Sequence, residues 1–329
     1  MTKNDQTDTP EYAPGGDSWL RPAGATGLTV SAIGLGGAPL ASMPDVLGYE
    51  VPRDRAIDLV DAVLDSAIAV IDTSNGYGDG ESERRIGHAL RRSPRTDDLL
   101  VVTKVDPDGE DYSGDRVRRS VEESRERLGM DVLPLVHLHD PEFHDFERIT
   151  ARGGAVEALV GLKESGVIGA IGVAGGHSPT MQRYVDLGVF DALLVHNRLT
   201  LVDRSAEDVA ADARARGMAV FNAAVFGGGI LAAPRTGLTA YAYRPASREI
   251  LGAVSAIADV CDDYGVELGA VAVQASLRDP LVDCTLIGMS RPERVAWTLS
   301  AASVPLPDEL WDRIAALRPS PEHWLDAQH

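Results

Sequence analysis

Cysteine is scarce in this chain of 329 residues, and long hydrophobic runs are absent from it. The two cysteines, Cys261 and Cys284, are too few for a disulfide scaffold or a four-cysteine metal site. We therefore expect a reducing, cytoplasmic location. No apolar run approaches the roughly 18 residues of a membrane-spanning helix, so we expect no membrane span.

Basic residues are also in short supply. The chain has 31 Lys and Arg against 50 Asp and Glu, a formal net charge of −19. Such a surface repels a phosphate backbone and an anionic lipid leaflet, so we expect neither a nucleic-acid nor a membrane partner. The acidic residues are spread along the chain, which is typical of a solubility feature.

The amino-terminal segment MTKNDQTDTPEYAPGGDS lacks the apolar core of a signal peptide. Its few apolar residues predict a flexible tail over residues 1–20. The remainder, 21–329, is long enough for one large domain and predicts a single one.

Short apolar runs alternate with amphipathic segments along the chain. The segments 115–128 and 154–165 have helical spacing and are followed by the helix-stopping glycines Gly129 and Gly166. Runs rich in Val, Ile and Leu predict strands that are buried on both faces. The predicted strands are 31–35, 69–72, 99–104, 133–139, 170–173, 192–195, 219–222 and 285–288.

Two parallel α/β architectures compete for this pattern, the open doubly wound sheet and the closed barrel. The open dinucleotide-binding sheet requires G-x-G-x-x-G after its first strand, but residues 34–39 read G-L-G-G-A-P, with Pro39 at the third glycine. Eight strands are the number in a (β/α)8 TIM barrel, which we therefore predict. The long interval from Asn222 to Thr285 predicts a lid loop and two helices.

Polar residues follow three successive predicted strands, where a barrel places its chemistry. Asp72, Lys104 and His139 end these strands, and Tyr77 follows Asp72 by five residues. A nearby ammonium is expected to lower the pKa of a tyrosine and so make it an acid or base near neutral pH. Each residue alone is also compatible with a cap, a packed ring or a structural histidine. Their joint placement favours an acid–base site.

The sequence resembles the aldo-keto reductases from about Leu28 to Leu317. The resemblance rests on D-T-S-N-G-Y-G at 72–78 together with Lys104 and His139. Further matching segments are I-G-L-G-G at 33–37, E-x-E-x-x-I-G at 81–87, L-K-x-x-G-x-I-x-x-I-G-V at 162–173 and I-G-x-S-R-P-E at 287–293. T-S-N-G-Y at 73–77 and N-R-L-T at 197–200 resemble the branch that contains aldose and pyridoxal dehydrogenases.

This resemblance implies a hydride transfer between a nicotinamide cofactor and a carbonyl or alcohol, such as oxidation of a sugar hemiacetal to a lactone. It makes Tyr77 the general acid or base, tuned by Lys104, which Asp72 anchors, while His139 orients the substrate. NAD(P) would lie extended across the barrel mouth. The residues implied to contact it are Gly37, Ala38, Asp72, Phe226, Gly227, Gly228, Gly288, Met289, Ser290 and Arg294.

The sequence departs from the family where the nicotinamide is held. Ala174-Gly175 replaces Ser-Asn, Leu193 replaces a glutamine and Ala223 replaces a stacking tyrosine. His196 and Asn222 are candidate substitutes, and each is also compatible with a structural role. NADPH-preferring relatives often have a lysine at the position of Gly288. Its absence favours NAD, although Arg291 and Arg294 are also able to bind a phosphate.

Two other functional classes fit parts of the sequence. A metal-dependent hydrolase on the same barrel would use His137, His139, His177 and His196 as ligands, but it leaves Asp72, Tyr77 and Lys104 unexplained. A catalytically inactive barrel that binds NAD(P) as a regulatory subunit would not need the complete set of four residues. The oligomeric state and the identity of the sugar or aldehyde stay open.

Overall fold

A closed barrel of parallel strands is the centre of the computed structural model, which describes residues 10–93 and 98–328. Successive strands pair with each other, and the last pairs with the first, so the predicted (β/α)8 barrel is confirmed. The strands are β1 (Ile33–Gly36), β2 (Val70–Asp72), β3 (Leu100–Val105), β4 (Leu133–His139), β5 (Ile168–Gly175), β6 (Ala192–His196), β7 (Ala219–Ala223) and β8 (Cys284–Gly288).

Helices connect the barrel strands and surround the barrel. The α-helices are α1 (Pro44–Leu47), α2 (Arg53–Leu64), α3 (Glu81–Leu90), α4 (Gly114–Leu128), α5 (Phe146–Thr150), α6 (Ala155–Glu164), α7 (Ser178–Val185), α8 (Glu207–Ala215), α9 (Arg248–Tyr264), α10 (Leu268–Leu277), α11 (Glu293–Ser303) and α12 (Asp308–Ala315). Helix α4 begins after Ser113, whose side chain accepts a hydrogen bond from the Arg116 amide, and ends at Gly129 with φ 74°. Within the described ranges, no helix has the length and apolarity to cross a bilayer.

Side chains of alternating strand residues fill the barrel interior. Because successive strand residues point to opposite faces, one set packs inside and the other packs against the helices. The buried interior set includes Val70, Leu100, Val102, Leu135, Ala170, Ala192, Leu194, Ala219, Phe221, Cys284 and Leu286. The barrel is therefore a packed core rather than a pore, and polar chemistry is confined to its mouth.

An antiparallel hairpin of Leu20–Pro22 and Thr29–Ser31 precedes the barrel. Its Ala23 and Val30 are buried with the interior residues of the strands, so the hairpin closes the bottom of the barrel. Strand β1 accordingly starts at Ile33 rather than at Ser31, because Ser31 belongs to the hairpin.

The expected flexible tail is not what the structure shows from residue 10 onward. Ala13 and Trp19 are buried, and the Trp19 indole N–H donates to the Ala67 carbonyl at 3.0 Å. The Tyr12 hydroxyl donates to Gln274 Oε1 at 2.9 Å, which ties this segment to α10. The rest of the predicted tail, residues 1–9, lies outside the described residues.

The long interval between β7 and β8 contains the predicted loop and two helices. The loop includes a short hairpin of Ala240–Tyr241 with Arg244–Pro245, and α9 and α10 follow it. The Tyr241 hydroxyl donates to the Asn197 carbonyl at 2.6 Å, so the hairpin is attached to the segment after β6. Arg244 also donates to the Leu325 carbonyl at 2.9 Å, so the lid region is fixed over the rim at more than one point.

Helices α3 and α4 touch at backbone distance, and a glycine permits this contact. A Cβ added to Gly87 would lie 2.1 Å from the Arg127 carbonyl oxygen, whereas one added to Gly161 in α6 would meet nothing within 4 Å. We predict that Gly87→Ala lowers the free energy of unfolding by about 1–3 kcal/mol, because the helices must separate. Gly161→Ala should raise it by about 0.5–1 kcal/mol, since alanine favours an unobstructed helix. Urea denaturation of both variants tests the pair, and equal effects would contradict this account.

Candidate active site

The predicted residues at the ends of β2 and β3 meet at the mouth of the barrel. Lys104 Nζ donates to Asp72 Oδ2 at 2.7 Å, to the Thr73 carbonyl at 2.7 Å and to the Tyr77 hydroxyl oxygen at 3.3 Å. An ammonium has three N–H donors, and all three are used here. Because the tyrosine oxygen accepts from Lys104, its own O–H remains available to a substrate.

Burial and pairing set the charge of these groups. Burial lowers the pKa of Lys104, but the Asp72 carboxylate outweighs this effect, so the pKa is raised and the side chain is an ammonium. Burial also raises the pKa of Tyr77, and Lys104 offsets only part of that rise. The expected net lowering of the tyrosine pKa is therefore wrong for these residues. The phenol is therefore mainly protonated at neutral pH, and Lys104 stabilises its minor phenolate form.

His139, at the end of β4, completes the predicted group. Its ring lies edge-on to the Tyr77 ring, with 5.6 Å between centroids. Its Nδ1 lies 2.6 Å from Asp106 Oδ1, and its Nε2 lies 3.8 Å from Asp140 Oδ2. The distance to Asp140 exceeds a hydrogen bond, so Nε2 is the ring nitrogen able to reach a substrate oxygen.

Asp106 is a site residue that sequence reasoning missed. Its Oδ2 accepts from the Ser74 hydroxyl and, at 2.7 Å, from the Gly76 amide, while Oδ1 faces His139. The available signal was its position two residues beyond Lys104, directly after β3 ends at Val105. An aspartate in a D-P-D segment is typical of a turn, which conceals this role.

The loop that carries Tyr77 is held from the helix layer. The Asn75 side chain accepts from Arg116 at 2.8 Å and donates to Glu123 at 3.0 Å, and both partners lie on α4. Arg127, also on α4, donates to the Asn75 carbonyl at 3.3 Å and pairs with the buried Glu83 at 3.1 Å. This network fixes the loop and with it the position of the phenol.

The residues expected to meet a cofactor in the first loop lie beside Asp72. The Gly37 amide donates to the Asp72 carbonyl at 2.7 Å, and a Cβ at Gly37 would lie 2.5 Å from that oxygen. The glycine is thus required by packing, and Ala38 begins the following 3₁₀ turn. Contact of Gly37, Ala38 and Asp72 with a cofactor stays a prediction.

The rim between β7 and β8 contains the other expected cofactor residues. Gly227 has φ 58°, and its Cβ would lie 2.2 Å from the Tyr241 ring, so the turn also has a packing reason. Gly228 and Gly288 are exposed, whereas the Met289 side chain is buried in the core. The Arg294 guanidinium lies 3.7 Å from the Trp297 ring centroid, and Phe226 packs near the same ring. Ser290 follows Met289 at this rim.

The two candidate substitutes for holding the nicotinamide differ in placement. Asn222 is fully buried and donates to the Leu199 carbonyl and to Ser276 Oγ, both at 2.8 Å. It therefore faces the helix layer, and its proposed role at the mouth is wrong. His196 is partly exposed, and its Nε2 lies 3.8 Å from Asp140 Oδ1. Of the departures from the family pattern, Ala174 and Ala223 pack with the barrel interior and Leu193 with the helix layer, while Gly175 ends β5.

The histidines of the alternative metal site do not converge. His137 is fully buried against the Phe221 ring, and burial lowers its pKa well below the usual value. Among the described residues, one group has metal-ligand spacing, with one atom each of Asp140, Glu142 and His196 within 4.8 Å of one another. Glu142 Oε1 already accepts from the Gly176 and His177 amides. The predicted set of four histidines is therefore not a metal site.

Comparison with known proteins accounts for this geometry. The sequence model of the Aldo/keto reductase family matches residues 32–319. The chain belongs to the aldo-keto reductase family. This aldo-keto reductase is an NAD(P)-dependent oxidoreductase, as the family resemblance implied, and the hydrolase alternative finds no support.

Similar curated proteins cover nearly the whole of this aldo-keto reductase. Pyridoxal 4-dehydrogenase of Microbacterium luteolum is 33% identical over 88% of this chain and 95% of its own. D-threo-aldose 1-dehydrogenase of a Pseudomonas species is 31% identical over 90% and 96%. L-galactose dehydrogenase of Arabidopsis thaliana is 32% identical over 86% and 88%. The expected branch of the family is thereby confirmed.

Solved structures agree on the fold. The holo form of an aldo-keto reductase from Bacillus halodurans has a TM-score of 0.75 at 22% identity, over 91% of this chain and 96% of its own. Glycerol dehydrogenase from Gluconobacter oxydans has a TM-score of 0.72 at 21% identity, over 91% and 95%. At these identities the likeness supports the barrel and carries no information on the substrate.

The position of the Tyr77 hydroxyl leads to the first prediction about activity. Tyr77→Phe removes one oxygen and should lower kcat by at least ~10²-fold, because the substrate oxygen loses its proton donor. The free energy of unfolding should fall by about 1–3 kcal/mol, because one N–H of the buried Lys104 ammonium loses its acceptor while Asp72 and Thr73 keep the other two. Steady-state kinetics and thermal unfolding together test this. Tyr264→Phe on α9 is the matched control and should keep wild-type kinetics.

Lys104→Met should differ from Tyr77→Phe in its effect on stability. It also removes the ammonium paired with the buried Asp72 carboxylate, so a loss of about 3–5 kcal/mol is expected in addition to the loss of turnover. A Tyr77→Phe protein within a few-fold of wild-type kcat would refute the assignment of the phenol.

Proposed function

We propose that this enzyme oxidises the anomeric hydroxyl of a free aldose to the lactone. The observation that carries the proposal is the row of polar groups beside Tyr77. His139 ends β4, Asp140 follows it, and His196 ends β6 on the other side of β5. The Asp140 oxygens lie 3.8 Å from Nε2 of each imidazole. A substrate with several hydroxyls can hydrogen-bond to such groups, whereas a purely apolar aldehyde would leave them unpaired.

The four predicted residues perform the acid–base part of this reaction. We place the C1 oxygen between the Tyr77 hydroxyl and His139 Nε2. Its proton passes to Tyr77 in the phenolate form, which is the minor form at neutral pH because burial raises the pKa of this phenol. Lys104, held by Asp72, stabilises that phenolate. A nicotinamide cofactor held at this rim would supply the acceptor for the C1 hydride.

The rim between β7 and β8 fits a dinucleotide. Exposed Gly228 and Gly288 leave backbone accessible where a side chain would otherwise stand. The same edge of this strongly acidic chain carries one hydroxyl, from Ser290, and two cations, from Arg291 and Arg294. Gly227, Phe226 and Met289 would shape the turn and pack beneath it. We propose that the cofactor is NAD rather than NADP, on the absence of a cation at Gly288.

Other parts of the proposal concern location and partners. A cytoplasmic location is supported by Cys261 and Cys284, which are buried and carry free thiols. The acidic charge supports a small-molecule substrate and no nucleic-acid partner. Whether the enzyme works as a monomer is a separate question, which gel filtration answers.

A substrate panel tests the proposed reaction. We expect NAD⁺ reduction, followed at 340 nm, with free aldoses of the L-fucose and L-galactose type, and a lactone product by mass spectrometry. Pyridoxal belongs in the panel, because a pyridoxal 4-dehydrogenase is among the most similar relatives. EDTA should leave the rates unchanged. Turnover of simple aldehydes with NADPH alone would refute the aldose proposal and leave the fold and the four residues intact.

Gly288→Lys tests the proposed cofactor preference. A Cβ at this position would meet the Pro39 ring at 3.4–3.8 Å, so a side chain can extend toward the rim. The lysine should shift the ratio of kcat/KM values toward NADP by about tenfold or more, because a charge-assisted bond to the 2′-phosphate is worth roughly 1.5–3 kcal/mol. Gly288→Ala is the control for backbone effects and should not change the ratio. A wild-type preference for NADP that disappears in Arg294→Ala would instead assign the phosphate to Arg294.

A further inference from the structure

The His139 imidazole is paired with a carboxylate inside the site. Nδ1 of His139 lies 2.6 Å from Oδ1 of Asp106, and each side chain is 14% exposed. Asp106 is itself fixed by the Ser74 hydroxyl and by the Gly76 amide at 2.7 Å. Ser74 Oγ also lies 3.1 Å from Nδ1, so the hydroxyl and the carboxylate hold one edge of the ring.

This pairing determines which nitrogen carries a proton. An ionised carboxylate only accepts hydrogen bonds, so Nδ1 must be the donor to Asp106. If the ring were neutral, Nε2 would then have a lone pair and could not donate to a substrate oxygen. Nε2 becomes a donor only when the ring is an imidazolium.

Charged groups on several elements face this ring. Three carboxylates favour the charged form of the ring: Asp106 after β3, Asp140 after β4 and Asp72 on β2. Two groups oppose it, Lys104 and His137. His196 faces Asp140 from β6, and Tyr77 is mainly a neutral phenol at neutral pH. Burial lowers the pKa of His139, but Asp106 and Asp140 outweigh it, so the pKa is raised. The pKa of Asp106 is correspondingly lowered by His139 and by Ser74, against the effect of burial.

We propose that Asp106 is a positioning residue that keeps His139 doubly protonated at neutral pH. Nε2–H then donates a charge-assisted hydrogen bond to the substrate oxygen. This inference rests on the proposed aldose oxidation. In that reaction the C1 hydride passes to the nicotinamide, the hydroxyl proton passes to the Tyr77 phenolate oxygen, and C1–O becomes a carbonyl. His139 keeps both of its protons throughout.

The sign of the pH dependence follows from the raised pKa. The imidazolium is present below the pKa of His139 in the folded protein and is lost as the pH rises through it. A weaker partner at position 106 moves that loss to lower pH. Asp106→Asn is the informative change, because an amide oxygen still accepts from Nδ1 while the negative charge is removed.

Histidine side-chain NMR tests the pairing without requiring turnover. In wild type the His139 signal, assigned by its absence in His139→Gln, should titrate above the usual histidine pKa. Asp106→Asn should lower that pKa by about one unit or more, in line with loss of an opposite charge within hydrogen-bond distance. Ser74→Ala should lower it by less, and Asp106→Glu should restore part of it. An unchanged pKa in Asp106→Asn would overturn the proposal.

The pH profile of aldose oxidation tests the consequence for catalysis. Titration of Tyr77 affects both proteins, so the ratio of kcat/KM for Asp106→Asn to that of wild type isolates His139. The ratio should stay within about threefold of one near pH 6 and fall to about a tenth or less above pH 8. A ratio that is low but constant with pH would show a structural role only and would contradict the proposal.

Asp131→Asn is the matched control for the loss of one negative charge. Asp131 is exposed just before β4 and has no contact with His139 among the described residues. The pKa of His139 and the pH profile of kcat/KM in Asp131→Asn should therefore match wild type. These measurements distinguish failure of the proposed aldose oxidation from failure of the proposed role of Asp106. If Asp106→Asn lowers the His139 pKa but wild type oxidises no aldose in the panel, the proposed function is wrong and the His139–Asp106 pairing stands.

Discussion

The ion pair between Lys104 and Asp72 is the interaction on which the site depends. An ammonium sealed among barrel strands is tolerable only when each N–H has a partner, because desolvation of a charge costs several kcal/mol. Asp72, Thr73 and Tyr77 supply those partners, and two of them are fixed by the backbone of β2 and its end. The third N–H of the ammonium therefore determines the position of the phenol oxygen. The chemistry is positioned by strand geometry, and the loops only have to bring Tyr77 to that point.

The sequence allowed much of the fold and the central group to be predicted, for a physical reason. Strands buried on both faces are continuous apolar runs, and a polar residue at the end of such a run is conspicuous. Asp72, Lys104 and His139 stand at such ends. Period-two alternation would also have placed Asn222 correctly, since its neighbours Phe221 and Ala223 point into the barrel and Asn222 must point out.

Other features depend on contacts that composition cannot reveal. The first residues of the chain have few apolar side chains, yet Tyr12 bonds to a glutamine 262 positions later. Asp106 looks like a turn residue until the fold brings His139 from the next strand beside it. The pKa of Tyr77 was also misjudged, because burial outweighs the ammonium and the extent of burial is known only from the packed structure.

The two halves of the rim differ in how they are held, and this difference bears on evolvability. The half that carries Tyr77 is fixed from the helix layer by Arg116 and Arg127, and Arg116 Nε also donates to the Asp106 carbonyl at 2.9 Å. The opposite half, between β7 and β8, is attached at the Tyr241 hydroxyl. Substitutions in the second half therefore act on the proposed cofactor contacts and leave the hydrogen bonds that position Tyr77 in place. A lineage built on this barrel can therefore change its contacts at the second half of the rim while it keeps the proton chemistry of the first.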